Sequence, residues 1–244
     1  MIDLIETYQS PPARHISRIR WIVSLCVGVI LWALAVVIAH SLPVIVLGRE
    51  LQGPTYAMVA LLFAPLAFGA VGVGLRVARR PLAAAGFTLE DTGADVLVGA
   101  AVAVIWAALQ FGILIPLTGG AERADVVVNA AQIGTTLSGL AAFVLLAWAG
   151  GFAEEVFFRA HLMTTLRGIL GASPAATALV VSVPTVLFAM LHGYQGGWIG
   201  MLDTGAFGGA ILSLLFLWRG RLLPCVVAHG LWNTIASVVI FLWY

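Results

Sequence analysis

From residue 21 to the end the chain is almost entirely apolar runs long enough to cross a lipid bilayer, and no other feature restricts its fold so severely. A span needs about 20 apolar residues, because in hydrocarbon every backbone amide and carbonyl must be satisfied inside the segment. Seven such runs are read at roughly 21–47, 55–75, 95–118, 136–158, 174–192, 199–218 and 222–243. Only 9% of the 244 residues are charged and 61% are hydrophobic, whereas soluble domains carry about 25% charged residues. The expected fold class is therefore all-α, a polytopic integral membrane protein with about seven transmembrane helices. A polar N-terminal segment, 1–20, precedes a single membrane domain, 21–244.

The net charge of +1 points to no partner, and no nucleic-acid partner is expected; the lipid bilayer is the surrounding phase. The chain has no lysine, so its arginines alone report sidedness. With a cytoplasmic N-terminus and seven alternating spans, Arg14, Arg18, Arg20, Arg76, Arg79, Arg80, Arg159, Arg167, Arg219 and Arg221 fall on the cytoplasmic side. Only Arg49 and Arg123 fall outside, a split that follows the positive-inside rule. The basic start could be read as a signal peptide, but the run after it is too long for a signal core and no small-residue cleavage site stands out, so it reads as an uncleaved first span. Cys26 and Cys225 match no redox or zinc spacing and read as small core hydrophobes.

Spans one to three read as scaffold. Their few polar residues, His40 and Gln110, are expected to be hydrogen-bonded to neighbouring helices. "LEDTGAD", with Glu90, Asp91 and Asp95, reads as the capped acidic start of a helix. The longest polar connection, about 119–135, separates this scaffold from the region where polar groups gather.

Ionisable groups at membrane depth cost several kcal/mol unless paired or hydrated, so each is a functional candidate. In "GGFAEEVFFRAHL" (150–162), Glu155 and Arg159 are four apart and share a helical face, while Glu154 points about 100° away. Arg159 can therefore neutralise Glu155 and leave Glu154 free to act on a proton or a metal; alternatively all three are solvated charges at a helix end. "VLFAMLHGYQGG" places Phe188 and His192 on one face ahead of glycines, and a lone histidine there is also consistent with a helix cap. "VVAHGLWNT" places His229 and Asn233 on one face, where a shared polar partner or a simple interhelical hydrogen bond would satisfy both. Together these groups can bind zinc, or can position a water and stabilise the charge that develops as it attacks a carbonyl. "HExxH" is absent, and the donors come from three separate spans.

The three stretches, "EEVFFR" (154–159), "FAMLH" (188–192) and "HGLWN" (229–233), occur in this order on consecutive spans. They resemble the CPBP family, the CAAX proteases and bacteriocin-processing enzymes also called Abi proteins. The resemblance covers about 136–244 and shows no departure from the family pattern. It implies an intramembrane endopeptidase whose helices enclose a polar cavity and which cuts a membrane-associated peptide or protein, with Glu154 activating water. His192 and His229 would bind a metal or stabilise the oxyanion, Asn233 would support the same centre, and Glu155 and Arg159 would be secondary. Zn2+ held by Glu154, His192 and His229 is the cofactor this implies, with glutamate acting alone as the alternative. The expected location is a bacterial or archaeal plasma membrane.

Two other classes compete with a protease. One is a non-catalytic membrane partner or bacteriocin-immunity protein that binds a peptide or membrane protein. The other is a small-solute transporter, which would need polar groups along a path open to both sides. One feature conflicts with simple alternation: counted at 1.5 Å per residue, His192 and His229 differ in depth by about 15 Å. A fourth span continuing to about Leu166 and a fifth beginning near Val180 would reduce the gap. Asp203, just after "GYQGGWIG", has no evident role.

Overall fold

The computed structural model describes residues 16–244, apart from the side chains of 194–196. Most of the expected N-terminal segment, including Arg14, lies outside the described residues. Seven helices are long and apolar enough to cross a membrane: α1 Arg18–Leu47, α2 Gly53–Val77, α3 Thr92–Leu117, α5 Leu137–Leu170, α6 Pro174–Gly193, α7 Gly197–Arg219 and α8 Leu223–Trp243. The shorter apolar helix α4, Ala124–Ile133, lies in what the sequence presents as a polar connection.

Local chemistry sets the boundaries. Ser17, Thr136 and Ser173 cap α1, α5 and α6, each side-chain oxygen accepting from the amide three residues on. Gly48 and Gly220 end α1 and α7 in the left-handed conformation. Gly197, at φ 59° and ψ −159°, breaks the chain between α6 and α7. The fifth span thus starts at Pro174 and not near Val180, while the fourth outruns its expected end at 158 and reaches Leu170. The residues after Glu155 are polar enough to suggest an exit from the membrane, yet all of Val156–Met163 is buried and forms a π-helical stretch within α5.

α5 is the centre of the bundle, packed between α2 and α8, with α1 against α2 and α3 against α8. Lipid tails are as apolar as leucine, so close packing has to hold such helices together. One example is the seat of His161, fully buried in α5. Its ring occupies the space that side chains at Gly28 and Gly74 would fill, and a Cβ at Gly74 would lie 2.6 Å from its Cε1. Nearby, Trp32 stacks on Phe157 with centroids 4.2 Å apart, and Phe158 meets Phe188 edge-on.

Three sequence expectations change. Arg159 is not at a membrane face: it is completely buried inside the bundle. Asp95 does more than decorate a helix start, since it is buried and accepts from Arg219 Nε at 2.8 Å and from Arg221, fastening α3 to the α7–α8 turn. Asp91, the residue preceding α3, makes no side-chain capping bond. Cys225 is buried, as a core residue should be, but Cys26 faces outward from α1.

The slot around His161 yields a prediction. Gly28→Ala forces a Cβ into the imidazole and should lower stability by about 1–3 kcal/mol, the usual cost of overpacking. His161→Ala in the same chain should recover part of the loss. Thermal unfolding of the two single variants and the double variant in detergent checks this, and a double variant no better than the sum of the singles would contradict it.

Candidate active site

Adjacent on α5, Glu154 and Glu155 face different surroundings. The Glu154 side chain is 22% exposed and reaches a cavity of about 690 Å3, whereas Glu155 is fully buried. The cavity is walled by apolar side chains including Trp32, Phe63, Phe143 and Ile240, with Gln110 and Asn129 among its polar members. Residues of α1, α2 and α3 therefore line it, so the first three spans are more than scaffold. Val37 and Leu191 also belong to its wall and are 58% and 49% exposed, so the cavity extends to the outer surface of α1 and α6.

Glu154 Oε2 lies 3.9 Å from His192 Nε2 and 3.8 Å from His229 Nε2. Both separations exceed a hydrogen bond and are suited to a small third body held between the groups. The same Oε2 is buried without a hydrogen-bond partner. His192 turns its Nδ1 onto the Phe188 carbonyl at 2.8 Å and stacks on the Phe188 ring, centroids 4.4 Å apart. His229 turns its Nδ1 onto Glu155 Oε1 at 2.8 Å. Each ring is thereby fixed by its Nδ1 and presents Nε2 to Glu154, the arrangement by which an outer partner sets a functional histidine. Asn233, one turn beyond His229 on α8, lines the same cavity.

Glu155 and Arg159 make the intrahelical pair their spacing suggests, with Arg159 Nε 3.1 Å from Glu155 Oε2 and Nη1 donating to Oε1 at 3.2 Å. Arg159 Nη2 also donates to the carbonyls of Gly208 and Gly209. Those carbonyls belong to a second π-helical stretch, Gly205–Ile211 in α7, and wide turns leave backbone acceptors available. The guanidinium lies 5.6 Å from the Phe188 ring centroid. Arg159 therefore braces Glu155, Glu155 orients His229, and Phe188 positions His192.

The 15 Å depth conflict between the histidines is resolved by unequal helix ends. His192 follows 18 residues of α6 and His229 only six of α8, about 27 Å against about 9 Å at 1.5 Å per residue. Both rings nonetheless approach the same Glu154 oxygen, and the start of α8 is tied to the connection ahead of α3, where Leu222 donates its amide to the Gly86 carbonyl at 2.9 Å. Hydropathy marks where runs begin but not how far each end projects.

A second polar cluster stands behind the cavity, unmarked by any sequence pattern. Arg123, 5% exposed, donates to Asp125 Oδ1 through Nε at 2.7 Å and to Asp203 Oδ2 through Nη2 at 2.6 Å. Burial works against the Arg123 charge, but the hydrogen bonds it donates to Asp125 and Asp203 prevail and raise its pKa. Asp203 sits behind the cavity, also bonded to Gln110, and so gains the role it lacked. These partners are 80 and 93 positions apart, and no local pattern links them. His40 contributes to the cavity wall, its Nδ1 bonded to the Val36 carbonyl within its own helix rather than to a neighbour.

Among the described residues no group of three or more His, Cys, Asp or Glu side chains is placed so as to hold a metal ion. The donor types at Glu154, His192 and His229 nevertheless suit Zn2+, given an orphaned carboxylate oxygen and two Nε2 atoms with outer partners.

Residues 136–235 match the family model described as Rce1-like, type II CAAX prenyl endopeptidase Rce1-like. No curated protein and no solved structure matches the chain. The matched stretch contains Glu154, Glu155, Arg159, His192, His229 and Asn233, so over those residues this multi-pass membrane protein is similar to the type II CAAX prenyl endopeptidases that the model describes.

Proposed function

We propose that the protein is an intramembrane endopeptidase that hydrolyses a peptide bond of a membrane-associated peptide or protein, using a water activated by Glu154. The observation that carries this reading is the approach of Glu154 Oε2 to two imidazole Nε2 atoms at 3.8–3.9 Å on the wall of a cavity that reaches the lipid-facing surface. A water between them can donate one proton to Glu154 and the other to His192, leaving a lone pair for the substrate carbonyl. As Glu154 takes the proton, the water oxygen bonds to the carbonyl carbon. Asn233 then donates to the oxyanion, beside the His229 ring that Glu155 holds in place through Nδ1. Glu154 returns the proton to the departing amine as the carbon–nitrogen bond breaks, which balances the step.

Zn2+, if bound, would be held by Glu154, His192 and His229 and would polarise the carbonyl and lower the pKa of its water. Chelation followed by zinc re-addition distinguishes the cases: recovery on zinc assigns the metal, and undiminished turnover in chelator assigns the water to the protein groups alone. The partner is a peptide or membrane-protein substrate presented from the bilayer. The arginine distribution supports a cytoplasmic N-terminus.

Glu154→Gln keeps the side-chain shape but removes the base, so cleavage of a membrane-presented peptide should fall by about 10²–10⁴-fold while the unfolding temperature is unchanged. Normal turnover by this variant, in material free of other proteases, would sink the assignment. If wild type binds peptide but never cuts it, the non-catalytic partner is the correct reading.

The ion pair behind the site gives a second expectation. Glu155→Ala strands Arg159 in a dry interior and should cost about 3–5 kcal/mol of stability, as breaking buried pairs does. Exchanging the two residues, Glu155→Arg with Arg159→Glu, should recover part of that stability and none of the activity, because His229 keeps no acceptor at its Nδ1. Unfolding and cleavage measured on the same preparations check both halves.

A further inference from the structure

Gln110 is buried where α3 widens into a π-helical turn, Gln110–Leu114, and both ends of its amide are engaged. Its Nε2 donates to Asp203 Oδ2 on α7 at 2.8 Å, and its Oε1 accepts from Trp232 Nε1 on α8 at 2.8 Å. The same Asp203 oxygen accepts from Arg123, which also grips Asp125 at the head of α4. α4 contributes Asp125, Val126 and Asn129 to the cavity wall. At the other end, Trp232 is the residue before Asn233, and its ring centroid is 6.2 Å from that of His229. A series of polar contacts therefore runs from α4 in the cavity wall, through Arg123, Asp203 and Gln110, to Trp232, whose ring lies beside that of His229.

A merely structural amide would need only to satisfy itself, and one neighbouring helix could do that. Gln110 instead divides its donor and its acceptor between two helices, and one of those contacts depends on Arg123. α4 is joined to the bundle through Gly119, at φ 127°, and Gly134, at φ 69°, conformations that let the chain turn sharply on either side of it. The ion pair to Asp203 holds the α4 head between these joints. We infer that Gln110 is a positioning residue, which couples the seating of α4 in the cavity wall to the orientation of His229 and Asn233 through the Trp232 N–H. A substrate that displaces α4 is sensed by α8 through this path. The inference rests on the hydrolytic reading of the site and concerns groups in and behind the cavity wall, around the residues assigned to the chemistry.

The test has an arm that needs no hydrolysis. The full chain is labelled with 5-fluorotryptophan, and the Trp232 fluorine resonance is identified among the eight tryptophans by its loss in Trp232→Phe. Asp203→Asn and Arg123→Gln, which do not touch Trp232, should both move that resonance. If it moves only in Gln110→Leu, the coupling to α4 is refuted. Should Arg123→Gln fail to fold, Asp203→Asn, which keeps the side-chain shape, decides alone.

The second arm is kinetic. Trp232→Phe deletes one N–H and keeps a ring, and Gln110→Leu deletes its partner. Each should lower kcat by about 2- to 30-fold while KM stays within about twofold. The double variant should lose no more than the worse single, because both remove one bond. Additive losses, or a raised KM with kcat intact, overturn the proposal. If wild type shows no hydrolysis, the hydrolytic reading fails, and the fluorine arm still decides the coupling.

Discussion

Charge burial in hydrocarbon costs several kcal/mol, and Glu155 and Arg159 make each other's burial possible. The pair is fully enclosed, and neither member is spare. Arg159 also engages two α7 carbonyls, and Glu155 also engages His229, so three helices meet at one ion pair. Buried pairs seldom add net stability over apolar substitutes. Here the pair fixes which face of α8 turns toward α5, and with it the position of the Nε2 that faces Glu154. The reactive-looking glutamate thus depends on its quieter neighbour for its geometry.

The seven spans were legible because hydrocarbon imposes a length on every crossing segment, and runs such as 21–47 and 222–243 show that length directly. The gathering of Glu154, His192, His229 and Asn233 was legible as a short list of polar groups in an apolar setting, since such groups need one another. What could not be read was anything set by the relative projection of helix ends or by contacts distant in sequence. His192 and His229 meet at one Glu154 oxygen although they lie at very different distances from the starts of their helices, and only the fold shows it. Arg123 looked like a lone outward arginine until Asp203, 80 positions away, was brought beside it. α4 escaped notice because ten residues carrying Asp125, Asn129 and Gln132 resemble a connection more than a helix that lines a cavity.

Two of the buried polar groups, Gln110 and Arg159, coincide with departures from regular helix. Gln110 opens one π-helical stretch, Arg159 lies within another, and Arg159 reads the carbonyls of a third. A regular helix consumes its own carbonyls, and a membrane interior offers no water in their place. Widened turns release acceptors where a buried arginine needs them. They are also points at which a helix can change the direction its side chains face without bending sharply.

That last property has a consequence for the length of α5. The half before Glu155 takes its phase from α2 and α8, while the part from His161 onward takes its phase from α1, through the His161 slot and the packing of Gly168 on Trp21. The wide stretch Val156–Met163 reconciles the two. Losing a single residue there would turn everything downstream by about 100°. His161 would swing out of its slot while Glu154 stayed put, even though every remaining side chain was the native one. Through this stretch the chain tolerates exchange of residues far better than a change in their number, and an insertion or deletion at 156–163 would divide the protein into two halves that each pack correctly but no longer fit together.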